Sequence, residues 1–293
     1  MSFKSGFIAI IGRPNVGKST LMNAILGEKV SIISDRPQTT RNKILGIRNI
    51  EGAQLVFLDT PGIHKGKYLM DKLMVKEAMS SLEGTDLILA VVDAERPLTE
   101  EDELVLESLK EARQPVFLII NKVDLIRKEL LLPQISKYSS SYGFKEVIPL
   151  SAAKGEGIEE LIRLMKDVLP EGPRYFPEET LTDRPERFII TEIIREKAIN
   201  ITREEIPYSI AVMVDEFKEK EKLVSITATI YVERDSQKGI IIGKGGNMLK
   251  RIGTEARKEI EGVLGCKVYL ELWVKVHKDW RKDSRFLREL GIE

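Results

Sequence analysis

The sequence predicts an α/β domain, a mostly parallel sheet with helices on both faces, followed by a smaller α+β domain. Three observations lead to it. Residues 1–169 alternate short apolar runs with amphipathic stretches. Pro170, Pro173, Pro177 and Pro185 then fall within sixteen residues. Past them, apolar and polar residues alternate singly, as in strands that bury one face.

The apolar runs of the first half are Phe7–Ile11, Leu55–Leu58, Leu87–Val92, Val116–Ile120 and Val147–Leu150. Most are apolar throughout, as strands covered on both faces must be. Between them, Ser19–Leu26, Glu101–Leu109 and Ile158–Val168 carry helical patterns, and a further strand is expected near Lys43–Ile47. Strand alternating with helix gives a parallel sheet. Proline lacks a donor and fixes φ, so residues 170–184 read as a linker between a domain at 1–169 and a domain at 185–277, with a tail at 278–293. In the second domain Arg187–Ile201 reads as a helix, and Ser209–Val214 and Val224–Val232 as strands. Met248, Leu249, Ile252, Ala256, Ile260, Val263 and Leu264 follow helical spacing. Val268, Leu270, Leu272, Val274 and Val276 alternate as a last strand. The order is α-β-β-(α)-α-β.

The length of 293 residues suits two domains, and 42% hydrophobic with 31% charged residues is an ordinary globular balance. Composition excludes disordered, collagen-like and disulfide-stapled chains. The single cysteine, Cys266, closes no intrachain disulfide, which fits a reducing compartment. The first apolar run is short for a signal peptide, and no run reaches the roughly 18 residues of a membrane span. The 46 basic residues balance the 46 acidic ones. The balance is uneven along the chain: Lys238–Lys282 holds 11 Lys/Arg against 5 Asp/Glu, an excess suited to a polyanion.

Gly12-Arg13-Pro14-Asn15-Val16-Gly17-Lys18-Ser19 fits G-x-x-x-x-G-K-[ST], with a buried strand before it and a helical stretch, Thr20 included, after it. Glycines let the backbone curl until its N–H groups surround a phosphate, and Lys18 adds charge near the β- and γ-phosphates. The Ser19 hydroxyl is placed to ligate Mg²⁺. Asp59-Thr-Pro-Gly62 ends the next long run: Asp59 is a second candidate for Mg²⁺, and Gly62 can bring its N–H to the γ-phosphate. Asn121-Lys122-Val-Asp124 follows Val116–Ile120. Guanine offers N1–H and N2–H as paired donors and adenine does not, so the Asp124 carboxylate reads the base, braced by Asn121 and Lys122. Ser151-Ala152-Ala153-Lys-Gly155 follows the last strand and offers N–H groups to the guanine O6. In sheets of this kind ligands bind at the carboxyl ends of the strands.

These four segments resemble the nucleotide-binding set of the translation-factor-related GTPases. The resemblance implies that a threonine of Gln38-Thr39-Thr40-Arg41 closes over Mg²⁺ and γ-phosphate. Thr40 is assigned, with Thr39 adjacent, and Lys18, Thr40 and Gly62 become the catalytic candidates. Ile63 stands where Ras-like GTPases carry the glutamine that orients water. His64, next in line, reads as a solvated loop residue. Asn15 suggests a bound K⁺ as a source of positive charge, again by resemblance.

Ile240-Ile241-Ile242-Gly243-Lys244-Gly245-Gly246 precedes the basic helix. Gly-x-x-Gly between helices lets a sugar–phosphate backbone approach closely. This is the KH pattern, whose loop clamps about four nucleotides of single strand. The run Ile240–Ile242, with Ile241 and Ile242 as the site candidates, would line the groove, and Lys244, Lys250 and Arg251 would meet phosphate. The element order resembles the type II KH fold. Tyr269, Trp273 and His277 alternate with the buried residues of the last strand, and suit either base stacking or packing.

A P-loop GTPase domain followed by a type II KH domain resembles the Era-like GTPase family over essentially the whole chain. The resemblance implies GTP hydrolysis with Mg²⁺, binding near the 3′ end of 16S ribosomal RNA, and a role in maturation of the small (30S) ribosomal subunit. It also implies a cytoplasmic monomer with peripheral attachment to the inner membrane, and no DNA partner. Two rivals are a GTPase of tRNA modification and an RNA-binding module that nucleotide only stabilises.

Overall fold

The computed structural model describes residues 2–34, 39–66, 68–202, 209–220 and 223–292. They divide into two compact units. The first takes residues 2–33, 40–66 and 71–183, and the second takes 34, 39, 68–70 and the described residues from 184 onward.

The first unit holds β1 (Lys4–Ile11), α1 (Lys18–Leu26), β2 (Ile44–Ile50), β3 (Ala53–Asp59), α2 (Leu69–Ser80) from Asp71 onward, β4 (Leu87–Asp93), α3 (Glu100–Ser108), β5 (Val116–Asn121), α4 (Leu131–Ser141), β6 (Glu146–Pro149) and α5 (Ile158–Val168). The described strands form one sheet in the order β2-β3-β1-β4-β5-β6. All pairs are parallel except β2 with β3, which a tight turn at Gly52 (φ +71) joins. Every residue of β3, β4 and β5 is buried, which is why those stretches read as unbroken apolar runs. Alternate side chains divide between two faces. Ala9, Ile11, Ile88, Ala90, Val92, Leu118 and Ile120 pack with α2, α3 and α4 through Ala78, Val105, Leu106 and Tyr138. The opposite face is covered by α1 and α5, which touch each other. Thr99 starts α3 with a reciprocal capping box to Asp102.

The prolines 170–177 do not hang free. Ser5 N donates to Pro170 O (3.1 Å), Ser5 Oγ to Pro173 O (2.6 Å) and Ile47 N to Leu181 O (2.8 Å). The fully buried Gln54 holds Tyr175 N, Phe176 N and Phe176 O. The segment is thereby bound through both its carbonyls and its remaining N–H groups, and residues 170–183 belong to the first unit.

The second unit holds α6 (Glu186–Ile201), β7 (Ala211–Lys220), β8 (Leu223–Val232), α7 (Asp235–Ile242), α8 (Asn247–Leu264), β9 (Lys267–Val276) and α9 (Ser284–Glu289). Its sheet runs β7-β8-β9, antiparallel then parallel. The helices α6, α7 and α8 close one face, over a core including Ile194, Ile226, Ile230, Ile252 and Ile260. The tail is ordered: Trp280 is fully buried with Nε1 donating to Ser209 O (2.9 Å), and Asp283 caps α9.

Candidate functional site

The loop between β1 and α1 is shaped by residues that only glycine can replace. Gly12 has φ +155, and a Cβ there would lie 2.3 Å from Val91 O. Gly17 has φ +94, and a Cβ would lie 2.3 Å from Asn121 Nδ2. α1 begins at Lys18, so the N–H groups of its first turn, Thr20 included, face the loop with the positive end of the helix dipole. Lys18 is buried, and its Nζ donates to Gly12 O and Arg13 O at 3.0 Å each. Burial lowers its pKa to about 8; Asp59 opposes the shift and Arg13 adds to it. Asn15 adopts a left-handed conformation, φ +65.

Two residues of the loop play other parts than direct ligands through their side chains. Arg13 turns away and is buried, Nε donating to Asp102 Oδ1 (3.1 Å) and Nη2 to Arg96 O (3.2 Å). Val16 is core, and its carbonyl accepts from Asn121. Both lie in the loop, so their backbones remain in the cradle while their side chains anchor it. Pro14 backs Gly62: a Cβ on Gly62 would lie 2.7 Å from Pro14 N.

Three oxygen-bearing side chains converge beside Lys18. Ser19 Oγ donates to Asp59 Oδ2 at 2.8 Å and lies 2.8 Å from Thr40 Oγ1. The Thr40 hydroxyl, as assigned, enters this cluster; Gln38 lies outside the described residues. A third hydroxyl, Ser31 Oγ, also donates to Asp59 Oδ2 (2.8 Å), and Asn23 Oδ1 holds Ser31 N at 2.9 Å. Asp59 is fully buried and its Oδ1 has no hydrogen-bond partner. Burial raises its pKa, with Lys18, Ser19 and Ser31 opposing. A buried carboxylate oxygen left open beside two hydroxyls suits a hard divalent cation such as Mg²⁺.

The loop after β3 corrects one expectation. His64 is not solvated: its side chain is only 8% exposed, Nδ1 lies 2.8 Å from Gly62 O, and Nε2 lies 3.9 Å from Asp71 Oδ1. The hydrogen bond to Asp71 raises its pKa against the opposing effect of burial. Ile63 is core, and its N–H donates to Gly12 O (3.1 Å). The peptide that follows Gly62 is thus tied at both its carbonyl and its N–H.

Asn121 joins three loops. Its Nδ2 donates to Val16 O (2.9 Å), and its Oδ1 accepts from Lys122 N (2.8 Å) and Ala152 N (3.0 Å). Lys122 has φ +65 and pairs through Nζ with Asp93 Oδ2 at 2.7 Å. The Asp124 carboxyl is held below its ordinary pKa, chiefly by the Ser151 hydroxyl, with Lys154 Nζ 3.7 Å away. The N–H groups of Ser151 and Ala152 are spent within the site, on Glu156 O and Asn121 Oδ1, which leaves that of Ala153 for a ligand.

In the second unit, Gly243 (φ +72) turns the chain between α7 and α8; a Cβ there would lie 2.6 Å from Met248 Cβ. Gly245 and Gly246 also have positive φ and face open space, with Lys244 exposed between Gly243 and Gly245. Beside this turn, between α8 and β9, lies a cleft of about 490 Å³ lined by Gly246, Leu249, Lys250, Gly253, Thr254, Arg257, Leu270 and Leu272. Ile241 does not line a groove: helical spacing points it into the core, fully buried, while Ile242 is half-buried. Arg251 is also outside the cleft, paired with Glu255 at 3.0 Å on the solvated side of α8. Thr254 and Arg257, about two and three turns beyond Gly246, also line the cleft, although the motif alone does not mark them.

Residues 7–122 match the family described as 50S ribosome-binding GTPase, and residues 205–281 match the KH domain family. The chain is 57% identical over 292 residues to GTPase Era of Geobacter sp. (strain M21), covering 99% of this chain and 98% of that one. GTPase Era of Geobacter metallireducens is 57% identical over 291 residues, with the same coverage. This chain belongs to the GTPase Era family. The structure agrees with a crystal structure of Era in complex with MgGDPNP and nucleotides 1506–1542 of 16S ribosomal RNA, at a TM-score of 0.97, 45% identity and 99% of both chains. It agrees as well with an Aquifex aeolicus Era variant bound to GDP and AlF4⁻, at a TM-score of 0.96 and 44% identity. As a member of the Era family the chain is a GTPase, a P-loop domain of mostly parallel sheet followed by a KH domain.

Proposed function

We propose that this GTPase is an RNA-binding switch that takes single-stranded RNA near the 3′ end of 16S ribosomal RNA and assists maturation of the small ribosomal subunit. The observation that carries the reading is the pairing, in one chain, of the Ser19–Thr40–Asp59 oxygen cluster with the cleft beside Gly243–Gly246. Mg²⁺ would be held by Ser19 and Thr40 with Asp59 behind them, and when bound it neutralises charge on the β- and γ-phosphates. Lys18 exchanges its two carbonyl partners for phosphate oxygens, and the Gly62 N–H, with the Ile63 N–H fixed beside it, meets the γ-phosphate. Asp124 accepts from guanine N1–H and N2–H. In the second unit Lys244, Lys250 and Arg257 meet phosphates, while Leu249, Leu270 and Leu272 give bases an apolar wall. Because Thr40 and Gly62 respond to the γ-phosphate, GTP and GDP states differ in the loops around them. If GTP favours the RNA-competent state, RNA must favour GTP by the same factor.

RNA affinity measured with a non-hydrolysable GTP analogue and with GDP tests the switch: equal affinities remove it. Crosslinking and sequencing of bound RNA tests the substrate, since recovery of transfer RNA in place of 16S RNA would overturn the ribosomal reading. We extend the proposal to K⁺ near Asn15, which supplies charge where Ile63 cannot orient water; equal turnover in K⁺ and Na⁺ buffers would refute it. The same reading takes the chain as a cytoplasmic monomer that meets the inner membrane only at its surface. Among the described residues no helix is long and apolar enough to cross a membrane. Co-sedimentation with anionic vesicles, and light scattering for mass, test these two points.

A further inference from the structure

Asp93 is a buried carboxylate that belongs to neither the phosphate-loop motif nor the base-side motif, yet it meets a cation from each. It ends β4, in register with Asn121 at the end of β5. Its Oδ2 accepts from Lys122 Nζ at 2.7 Å and lies 3.9 Å from Arg13 Nη2. Its Oδ1 accepts from Glu95 N at 2.9 Å, so the loop that leaves β4 fixes the plane of the carboxylate. That loop is itself held. Ala94 N donates to Asn121 O (2.9 Å), Gln134 Nε2 to Ala94 O (2.9 Å), and Leu98 N to the hydroxyl of the buried Tyr138 (2.9 Å). All of these residues lie in the first unit.

We propose that Asp93 is a positioning residue for guanine nucleotides: it pins Lys122 so that the alkyl stem of the lysine lies against the face of the base whose edge Asp124 reads. The proposal rests on the reading of Asn121-Lys122-Val-Asp124 as the base-side loop, and adds the residue that holds its lysine still. Three observations carry it. First, the two ends of the pin differ in burial: the Asp93 side chain is 5% exposed and that of Lys122 29%. A lysine able to reach water turns back instead to a carboxylate in the interior. Doing so freezes one of the side chains with the most rotamer freedom. Second, Lys122 stands at φ +65, where glycine would sit without strain. A lysine held in that conformation has a use for its side chain beyond the turn. Third, Arg13 does not need Asp93. Its Nε bonds Asp102 Oδ1 and its Nη2 bonds Arg96 O, so it is satisfied without a carboxylate at 3.9 Å. The close bond of Asp93 is to Lys122, and Arg13 balances the charge that remains. Fixed at the main chain and at Nζ, the four methylenes of Lys122 become a ledge on which a purine ring can lie. Asp93 thus secures a face of the base while Asp124 selects its edge.

The test measures release of a fluorescent GDP, in Mg²⁺ buffer, from the full chain as parent, Asp93→Asn, Lys122→Met and the double variant. Asparagine keeps the shape of Asp93. Lys122 can then swing into water and Arg13 keeps Asp102, so no buried cation is stranded. Far-UV melting confirms each fold, and Asp93→Ser takes the place of Asp93→Asn should that chain not fold. Methionine keeps the apolar stem of Lys122 and loses the ammonium. Each single substitution is expected to quicken release about tenfold, the low end for a hydrogen bond between charged groups because Lys122 is partly in water. The two groups act as one contact, so the double variant is expected to be about tenfold faster as well. A carboxylate that served only the fold would act independently of Lys122, and the double variant would then approach about a hundredfold. The affinity ratio of GDP to inosine diphosphate, which reports the N2 amino group at the base edge, should stay within about twofold in Asp93→Asn. Parent-like release from Asp93→Asn, multiplying factors in the double variant, or a shifted ratio overturns the assignment. If Lys122→Met itself releases GDP like the parent, the base-side loop reading fails, and the two failures are distinct.

Discussion

Asn121→Ala should damage the nucleotide pocket without touching nucleotide. The side chain makes three hydrogen bonds, to Val16 O, Lys122 N and Ala152 N, and so ties the phosphate loop to both base-side loops. It is 2% exposed, and Val16 and Ala152 are buried, so water cannot readily replace the lost partner. At about 0.5–1.5 kcal/mol for each net hydrogen bond, the loss is about 1.5–4.5 kcal/mol, centred near 3. If it falls on folding, a unit of this size should melt about 6–12 °C lower. If the loops merely loosen, the same energy appears as GDP affinity reduced on the order of 100-fold. Far-UV circular dichroism gives the first quantity and calorimetric GDP titration the second. Both tryptophans lie in the second unit, so their emission should not report the defect and serves as an internal control. Asn121→Asp should be at least as harmful, because it sets a carboxylate oxygen against Val16 O. An Asn121→Ala chain that melts and binds GDP as the parent does would refute the reasoning.

Three further outcomes are expected. Asp124→Asn should lower GTP affinity and raise affinity for xanthosine triphosphate, whose ring supplies the matching acceptor; competition binding checks it, and unchanged base preference would mean the pocket is misread. Lys18 with a pKa of about 8 is charged in about nine-tenths of chains at pH 7 and about a quarter at pH 8.5. Phosphate binds the charged form, so GDP affinity should fall about fourfold between those values with uptake of a proton, and a flat profile would refute it. The same lowered pKa means the unfolded chain binds more protons between about pH 8 and 10.5, so the Lys18 contribution to stability improves as pH rises through that window. Ser31→Ala removes one of two hydroxyl donors from Asp59, whose ionised form burial already disfavours. It should weaken Mg²⁺-dependent nucleotide retention about tenfold, read as the Mg²⁺ concentration that slows release of a fluorescent GDP.

The elements most legible in the sequence were those whose signal is local. Buried strands show as apolar runs, and Ile158–Val168 shows its four core residues at helical spacing, bounded by Gly157 and Leu169. α4 escaped because its only fully inward residue is Tyr138, on an otherwise polar stretch that opens Leu-Leu-Pro. α2 escaped for a related reason: Met70, Met74 and Ala78 give one buried residue per turn, a narrower stripe than the eye requires. The order of residues 170–183 depends on Gln54 and Ser5, more than a hundred residues away, which no window can contain.

The same division runs through the sites. Positions where backbone must curl are filled by glycine, so Gly12, Gly17, Gly62 and Gly243 announce themselves, and each is explained by an atom that a Cβ would strike. The residues that hold those curls in place are ordinary ones with distant partners: Arg13 on Asp102, Asn23 on Ser31, Asn121 on Val16, His64 on Asp71. This is why Arg13 keeps its backbone in the phosphate loop while its side chain proves to be an anchor, and why Ile241 reads as groove and proves to be core. Ile63 follows the same logic. Its side chain is committed to the core and its N–H to Gly12 O, so it fixes the position of Gly62 at the expense of any role toward water. What Ile63 supplies to this pocket is a main chain that arrives already in place.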